Sequence, residues 1–133
     1  MVALGLVVAD FHSRITEAME AEARDAAAAA DATIVETLHV PGAYDTPLAA
    51  DRLARRDDVD AVAVLGAIIT GDTDHDQVIG NAAAQQLTQI SVDRDTPVAF
   101  GISGPGMSPD EARERVDKGA EAVTSAIQLV EEL

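Results

Sequence analysis

The stretch Ala61–Gly80, AVAVLGAIITGDTDHDQVIG, joins a buried strand to a helix through a polar loop. Its first part, Ala61–Gly66, is a short apolar run typical of a fully buried parallel strand. The run Asp72–Asp76 is polar, contains His75 and precedes a segment with helical spacing. Open α/β sheets bind ligands at the carboxyl ends of their strands, so His75 is well placed for function. The same Asp and Thr side chains could instead only cap the helix.

The alternation of apolar runs and amphipathic segments extends along the whole chain. Apolar runs predict strands over residues 2–9, 33–40, 61–66 and 97–102. Helical spacing predicts helices over residues 13–30, 47–56, 76–92 and 109–130, the last starting at an N-cap on Ser108. Gly104-Pro105-Gly106 is predicted to be a turn outside regular structure. This order predicts one domain over residues 1–133, a flavodoxin-like three-layer sandwich with a four-stranded parallel sheet and helices on both faces.

The composition excludes several classes of protein. The chain has 133 residues, no cysteine and only three aromatic side chains, Phe11, Tyr44 and Phe100. The absence of cysteine excludes disulfides, thiolate zinc sites and cysteine nucleophiles. No apolar run reaches the roughly 20 residues of a membrane helix, and the N-terminus has no basic region or cleavage site. We therefore expect a cytoplasmic protein with no membrane partner.

The charge balance is strongly acidic. The formal net charge is −15, with 24 acidic residues against nine basic ones, of which Lys118 is the single lysine. The acids are spread along the chain, and their charge argues against nucleic acid and anionic membranes as partners. An excess of aspartate with almost no lysine is typical of a protein from a salt-saturated cytoplasm, where the Debye length is about 3 Å. This predicts a halophilic protein.

The common phosphate-binding fingerprints G-x-G-x-x-G and G-x-x-x-x-G-K-[ST] do not occur. Four other separated segments are distinctive: Phe11–Thr16 (FHSRIT), Val40–Pro47 (VPGAYDTP), Gly66–Val78 with its G-x-T-x-H core, and Gly101–Met107 (GISGPGM) followed by Glu114–Gly119. In this order they resemble the lumazine synthase family in its archaeal form, and the resemblance covers essentially the whole chain.

This resemblance implies a reaction. The family condenses 5-amino-6-(D-ribitylamino)uracil with 3,4-dihydroxy-2-butanone 4-phosphate to 6,7-dimethyl-8-ribityllumazine, phosphate and water, in riboflavin biosynthesis. The resemblance implies no cofactor, and it implies a homo-oligomer built from pentamers, as in relatives that close into capsids. Each step moves protons near neutral pH, which suits an imidazole, and a guanidinium can grip the departing phosphate in bidentate fashion.

The resemblance also implies site residues. Proton transfer falls to His75, phosphate binding to Arg115 with the Gly71–Thr73 segment, and stacking on the pyrimidine to Phe11. The ribityl chain would be held around Asp45, and Phe100 would close the pocket from a neighbouring subunit. The full set is His75 and Arg115 as catalytic residues, and Phe11, Ala43, Tyr44, Asp45, Ile68, Ile69, Gly71, Asp72, Thr73, Phe100 and Lys118 as substrate-binding residues.

Some features depart from the family or admit another interpretation. His12 stands where relatives usually have Asn, and Asp45 where many have Glu. The carboxylates around His75 could suggest a metal site, but one histidine among acids is expected in so acidic a chain, and no metal is predicted. His12 and His39 are interpreted as structural or surface residues. The alternative functions are an archaeal riboflavin synthase paralogue, which lacks the G-x-T-x-H core, a lumazine- or flavin-binding protein without turnover, and a structural shell protein.

Overall fold

A parallel sheet forms the centre of the molecule. The computed structural model describes residues 1–71 and 75–133. Within these residues the sheet has four strands in the order β2-β1-β3-β4, all paired in parallel. The strands are β1 (Ala3–Ala9), β2 (Thr33–Val40), β3 (Ala61–Ile69) and β4 (Val98–Met107). The strand order reverses between β1 and β3, which is where doubly wound sheets open a crevice for ligands.

Helices cover both faces of the sheet, as predicted for a flavodoxin-like sandwich. The helices are α1 (Ser13–Ala29), α2 (Thr46–Ala54), α3 (Asp76–Arg94), α4 (Pro109–Glu114) and α5 (Lys118–Glu132). A single turn of 3₁₀ helix, Ala43–Asp45, precedes α2. Helix α1 packs on α5 over one face, and α2 packs on α3 over the other. No helix in the described ranges is long and apolar enough to cross a membrane.

The layer formed by α1 and α5 is here called the alanine-packed layer. Its buried positions include four alanines, together with larger side chains: Ala23, Ala27, Ala122, Ala126, Ile15, Met19 and Val123. A β-carbon added at Gly119 of α5 would collide with the backbone carbonyl of Met19 in α1. Only a residue without a side chain allows the two helices to approach this closely.

The layer formed by α2 and α3, here called the α2–α3 layer, also buries alanines and is filled by two leucines. Leu53 of α2 and Leu87 of α3 are almost completely buried, and they belong to the same cluster as Val62 and Val64 of the central strand β3. Arg94 near the end of α3 donates to the Asp51 carboxylate of α2, with Nε to Oδ1 at 2.8 Å. This ion pair joins the two helices at the amino edge of the sheet.

The two strands that carry the predicted loops are longer than predicted. Strand β3 continues past Gly66 to Ile69, and β4 continues past Ile102 to Met107. The prediction of a turn outside regular structure at Gly104-Pro105-Gly106 is therefore wrong. Ile69 pairs with Met107 after a shift in register, and the Thr70 N–H donates to the Met107 carbonyl at 2.8 Å. Residues 104–106 bulge out between the paired positions Ser103 and Met107, with positive φ at Gly104 and Gly106. The strand therefore resumes after a local irregularity that glycine permits.

The last predicted helix is interrupted. Helix α4 ends at Glu114 and α5 begins at Lys118, so the prediction of one continuous helix is wrong. The start of α4 is as predicted: Ser108 Oγ accepts from the Glu111 N–H at 3.1 Å, and Glu111 Oε1 accepts from the Ser108 N–H at 3.1 Å. The Ser108 N–H bond is the largest cause that lowers the pKa of the Glu111 carboxyl. The interruption turns α5 so that Gly119 meets α1.

Candidate active site

The loops that follow β1 and β2 are joined by backbone hydrogen bonds. The Asp10 N–H donates to the Val40 carbonyl at 2.8 Å, and the Phe11 N–H donates to the Pro41 carbonyl at 2.9 Å. These bonds continue the β1–β2 ladder past the ends of both strands. The backbone of Phe11 is therefore held beside the turn that starts at Pro41.

A pocket of about 210 Å³ opens beside Phe11 at the carboxyl edge of the sheet, on the side of the α2–α3 layer. Phe11 is 50% exposed and Tyr44 65% exposed, so both rings lie at the rim of the pocket. An apolar concavity with few polar groups is the usual form of a small-molecule site. The lining residues of this Phe11 pocket are Phe11, Gly42, Ala43, Tyr44, Ala67, Ile68 and Ile79.

The 3₁₀ turn beside the pocket presents a fixed carboxylate. Asp45 Oδ2 accepts from the Gly42 N–H at 3.0 Å, and the Asp45 N–H donates to the Gly42 carbonyl at 3.0 Å. One residue further on, the buried Thr46 hydroxyl donates to the Ala43 carbonyl at 2.8 Å. These three bonds fix the backbone of the turn, and they leave the exposed Asp45 side chain next to Tyr44.

The loop after β3 leads to the start of α3 next to the pocket. Gly71 is exposed and has a φ of 95°, a left-handed conformation that favours glycine. His75 is exposed and precedes the first residue of α3, and its carbonyl accepts from the Ile79 N–H at 3.0 Å. Because Ile79 lines the Phe11 pocket, His75 lies one helical turn from it. The predicted site residues Asp72 and Thr73 lie outside the described residues.

Three predicted site residues lie away from the Phe11 pocket of their own chain. Arg115 follows α4, and its Nη2 lies 3.2 Å from Glu111 Oε2, with both side chains about half exposed. Lys118 is the first residue of α5. Phe100 pairs with Val64 within β4, an edge strand, and is 38% exposed. Phe100 therefore lies within the strand that forms the open edge of the sheet.

Comparison with known proteins gives the family. The model of the 6,7-dimethyl-8-ribityllumazine synthase family matches residues 1–133. The synthase of Halobacterium salinarum is 70% identical over 133 residues, which are 100% of both chains. That of Halorubrum lacusprofundi is 68% identical over 100% of this chain and 99% of its own. That of Methanoculleus marisnigri is 47% identical over 99% of this chain and 98% of its own. This chain belongs to the lumazine synthase family.

Membership of the lumazine synthase family confirms the predicted resemblance and the prediction that the chain is an enzyme, a transferase. The structure brings several of the residues predicted from the family together. Phe11, Ala43, Tyr44 and Ile68 line one pocket, and Asp45 lies in the turn at its rim. Their roles in substrate binding remain predictions, and the positions of these residues are compatible with those roles.

Ile69, also predicted from the lumazine synthase resemblance, lies on the other side of the sheet. It lines a second cleft of about 450 Å³ between the starts of α1 and α4. Successive residues of a strand point to opposite faces, so Ile68 and Ile69 cannot both present their side chains to the same pocket. The other residues that line this cleft are Asp10, His12, Ser13, Arg14, Ile15, Pro109 and Arg113.

The Phe11 pocket is also lined by three residues that were not predicted as site residues: Gly42, Ala67 and Ile79. Ile79 could have been found, because it lies four residues after His75 and so on the same side of the helix. His39, interpreted as structural, bonds to two carboxylates: its Nδ1 lies 2.7 Å from Asp10 Oδ1 and its Nε2 3.4 Å from Glu20 Oε1. This arrangement ties β2 to α1.

Proposed function

We propose that the chain condenses 5-amino-6-(D-ribitylamino)uracil with 3,4-dihydroxy-2-butanone 4-phosphate to 6,7-dimethyl-8-ribityllumazine in the Phe11 pocket, as a cytoplasmic enzyme of riboflavin biosynthesis. Family membership over residues 1–133 supports the reaction. The observation that supports this site is the pocket itself. An exposed aromatic ring lines it, and an oriented carboxylate and the start of a long helix lie beside it.

The ribityl-bearing substrate suits the side of the pocket formed by Phe11 and the 3₁₀ turn. A planar pyrimidine stacks on an exposed aromatic ring such as Phe11, which is 50% exposed. The sugar chain carries hydroxyl donors, and a carboxylate accepts hydrogen bonds from them more strongly than a neutral group does. Asp45 is already oriented by the Gly42 N–H, so little ordering is needed when the hydroxyls bind.

The phosphate-bearing substrate suits the start of α3. The N-terminus of a helix attracts anions, and α3 has 19 residues. The proposed phosphate ligands are Gly71, Asp72 and Thr73, with Arg115 neutralising the phosphate as it leaves. His75, one turn from the pocket, would carry protons between the amine, the ketone and water, since an imidazole changes charge near neutral pH.

We further propose that the site is completed by a second copy of the chain, in a homo-oligomer built from pentamers. The Phe11 pocket, at about 210 Å³, is smaller than the roughly 300–1,000 Å³ usual for small-molecule sites. Phe100, Arg115 and Lys118 do not line it within the described part of their own chain. If a neighbouring copy supplies them, the ring of Phe100 on the open sheet edge closes the pocket.

The acidic composition supports the halophilic character of the protein. A net charge of −15 per chain is multiplied in a ring of copies, and salt screens the resulting repulsion. Relatives from Halobacterium salinarum and Halorubrum lacusprofundi are 70% and 68% identical. Assays of the proposed reaction therefore belong in high salt.

The reaction is tested by mixing the protein with both substrates in high salt and following lumazine by its absorbance and fluorescence. Wild type is expected to form lumazine, and His75→Ala is expected to lower kcat by about 100-fold or more, because proton transfer loses its carrier. The matched control is His39→Ala, which removes an exposed imidazole bonded to Asp10 and Glu20, and it should keep most of the activity.

Two outcomes would contradict the proposal in different ways. Equal rates for wild type and His75→Ala would remove His75 from proton transfer while leaving the reaction in place. Tight binding of the ribityl substrate without any lumazine would identify a binding protein instead of an enzyme. The shared site is tested separately by sedimentation: activity that survives dilution to monomers would contradict completion by a second copy.

A further inference from the structure

The imidazole of His12 packs against the ring of Phe11. The two ring centroids lie 4.5 Å apart, and the ring planes are tilted by 39°. Phe11 is 50% exposed, whereas His12 is half-buried between Phe11 and the second cleft. We propose that His12 is a positioning residue, whose ring orients Phe11 for stacking on the pyrimidine of the substrate. This inference rests on the proposed function, because it takes Phe11 as the stacking residue.

The backbone of His12 is fixed independently of its ring. His12 has φ 64° and ψ 52°, the left-handed conformation, immediately before α1. Its carbonyl accepts from the N–H groups of Ile15 at 2.9 Å and Thr16 at 3.1 Å, which begins the helix. The side chain makes no capping bond to the helix. The position therefore demands a residue that tolerates the left-handed region, and the ring of that residue packs on Phe11.

Few residue types satisfy both requirements at position 12. Among non-glycine residues, Asn, Asp and His are enriched several-fold in the left-handed region. Of these three, only His has an aromatic ring that can pack on Phe11. Asparagine at this position would keep the backbone turn and lose the ring contact, so it separates the two roles.

The expected benefit is pre-organisation of Phe11. The Phe11 backbone is held by its N–H bond to the Pro41 carbonyl, so the orientation of its exposed ring depends on the side-chain dihedrals. A ring that is free to change rotamer loses that freedom when a ligand stacks on it, which weakens binding. The His12 ring restricts Phe11 before the ligand arrives. Its effect should fall on affinity for the pyrimidine substrate, while proton transfer is unchanged.

The test compares His12→Asn, Phe11→Ala and the double variant in the full-length protein in high salt. For His12→Asn we expect KM for 5-amino-6-(D-ribitylamino)uracil to rise about three- to tenfold, the range of an aromatic pair contact. We expect kcat within about twofold of wild type, since no transition-state contact is lost. In the Phe11→Ala background, His12→Asn should have no further effect on KM.

The possible results test the positioning role of His12 and the stacking role of Phe11 separately. Wild-type KM in His12→Asn, or an equal loss with and without Phe11, would overturn the positioning role of His12. A rise in KM for Phe11→Ala together with wild-type KM for His12→Asn would reject only the inference about His12. An unchanged KM in Phe11→Ala would instead contradict the proposed stacking role of Phe11, and with it the basis of this inference.

Discussion

The two helical layers differ in how closely their helices approach each other. In the alanine-packed layer, Gly119 of α5 lies directly against the Met19 backbone of α1. In the α2–α3 layer, Leu53 and Leu87 are buried in the interior, and at the carboxyl edge the packing gives way to the Phe11 pocket. The first layer is marked by a close backbone contact, and the second by a pocket rimmed with exposed side chains.

This difference separates stability from ligand binding. Where α5 lies against α1 at Gly119 there is no room for an added side-chain atom, so a larger residue there strains the fold. The open end of the α2–α3 layer carries exposed side chains, whose removal changes little packing in the native state. Substitutions in the alanine-packed layer should therefore change stability, and substitutions around the Phe11 pocket should change affinity.

The largest expected effect is that of Gly119→Ala. The new β-carbon would collide with the Met19 backbone, so α5 has to move away from α1. We expect the free energy of unfolding to fall by about 3 kcal/mol, measured by chemical denaturation in high salt. Thr124→Ala, at an exposed position of the same helix, is the control and should change little. Wild-type stability in Gly119→Ala would show that the two helices are less tightly packed than described.

The second-largest expected effect is on substrate affinity at the open end of the α2–α3 layer. Asp45→Ala removes the carboxylate proposed to bind the ribityl hydroxyls, and KM for the ribityl substrate should rise about tenfold, since hydrogen bonds to a charged group are lost. Asp45→Asn keeps an acceptor for the Gly42 N–H and should give a smaller rise. Steady-state kinetics give KM for each variant, and a thermal melt run in parallel gives its stability. A large loss of stability with unchanged KM would place Asp45 among the structural residues.

The smallest expected effect concerns the ion pair of the α2–α3 layer at low pH. The hydrogen bond from Arg94 is the largest cause that lowers the pKa of Asp51 from its ordinary 3.8. The folded pKa is thus below the unfolded one, so the pair stabilises the protein above pH 3.8 and this contribution is lost as pH falls through the folded pKa. Asp51→Asn should lower Tm slightly at neutral pH, and less in acid. A difference from wild type that is as large in acid as at neutral pH would contradict this linkage.

The sequence predicted most of the fold because local signals and tertiary pairing agree in most elements. Strand β1 is a continuous apolar run, β2 is rich in β-branched residues, and the Ser108 cap marks the start of α4 correctly. The predictions were wrong where long-range pairing decides, as in β4, which resumes at Met107 after a bulge because Ile69 of β3 pairs with it. The break after Glu114 was missed because neither Gly nor Pro occupies positions 115–117, and the apolar spacing runs through it.

The candidate site was predicted in part for similar reasons. The loops at the carboxyl edge follow from the order of strands and helices, so Phe11 and the Pro41–Asp45 turn were expected close together. The face of the sheet to which a side chain points follows from strand alternation, so it can be predicted only for residues that are correctly assigned to a strand. With β3 predicted to stop at Gly66, the alternation that separates Ile68 from Ile69 could not be applied.

Tyr44 determines where the intrinsic tyrosine fluorescence of the protein originates. The chain contains one tyrosine and no tryptophan, and that tyrosine lies 65% exposed at the rim of the Phe11 pocket. Tyrosine emission from this protein therefore originates at the rim of the Phe11 pocket, the proposed ligand site, and quenching on titration with substrate would report its occupancy without an added dye. The alanine-packed layer contributes no such chromophore, so its melting has to be followed through the circular dichroism of its helices.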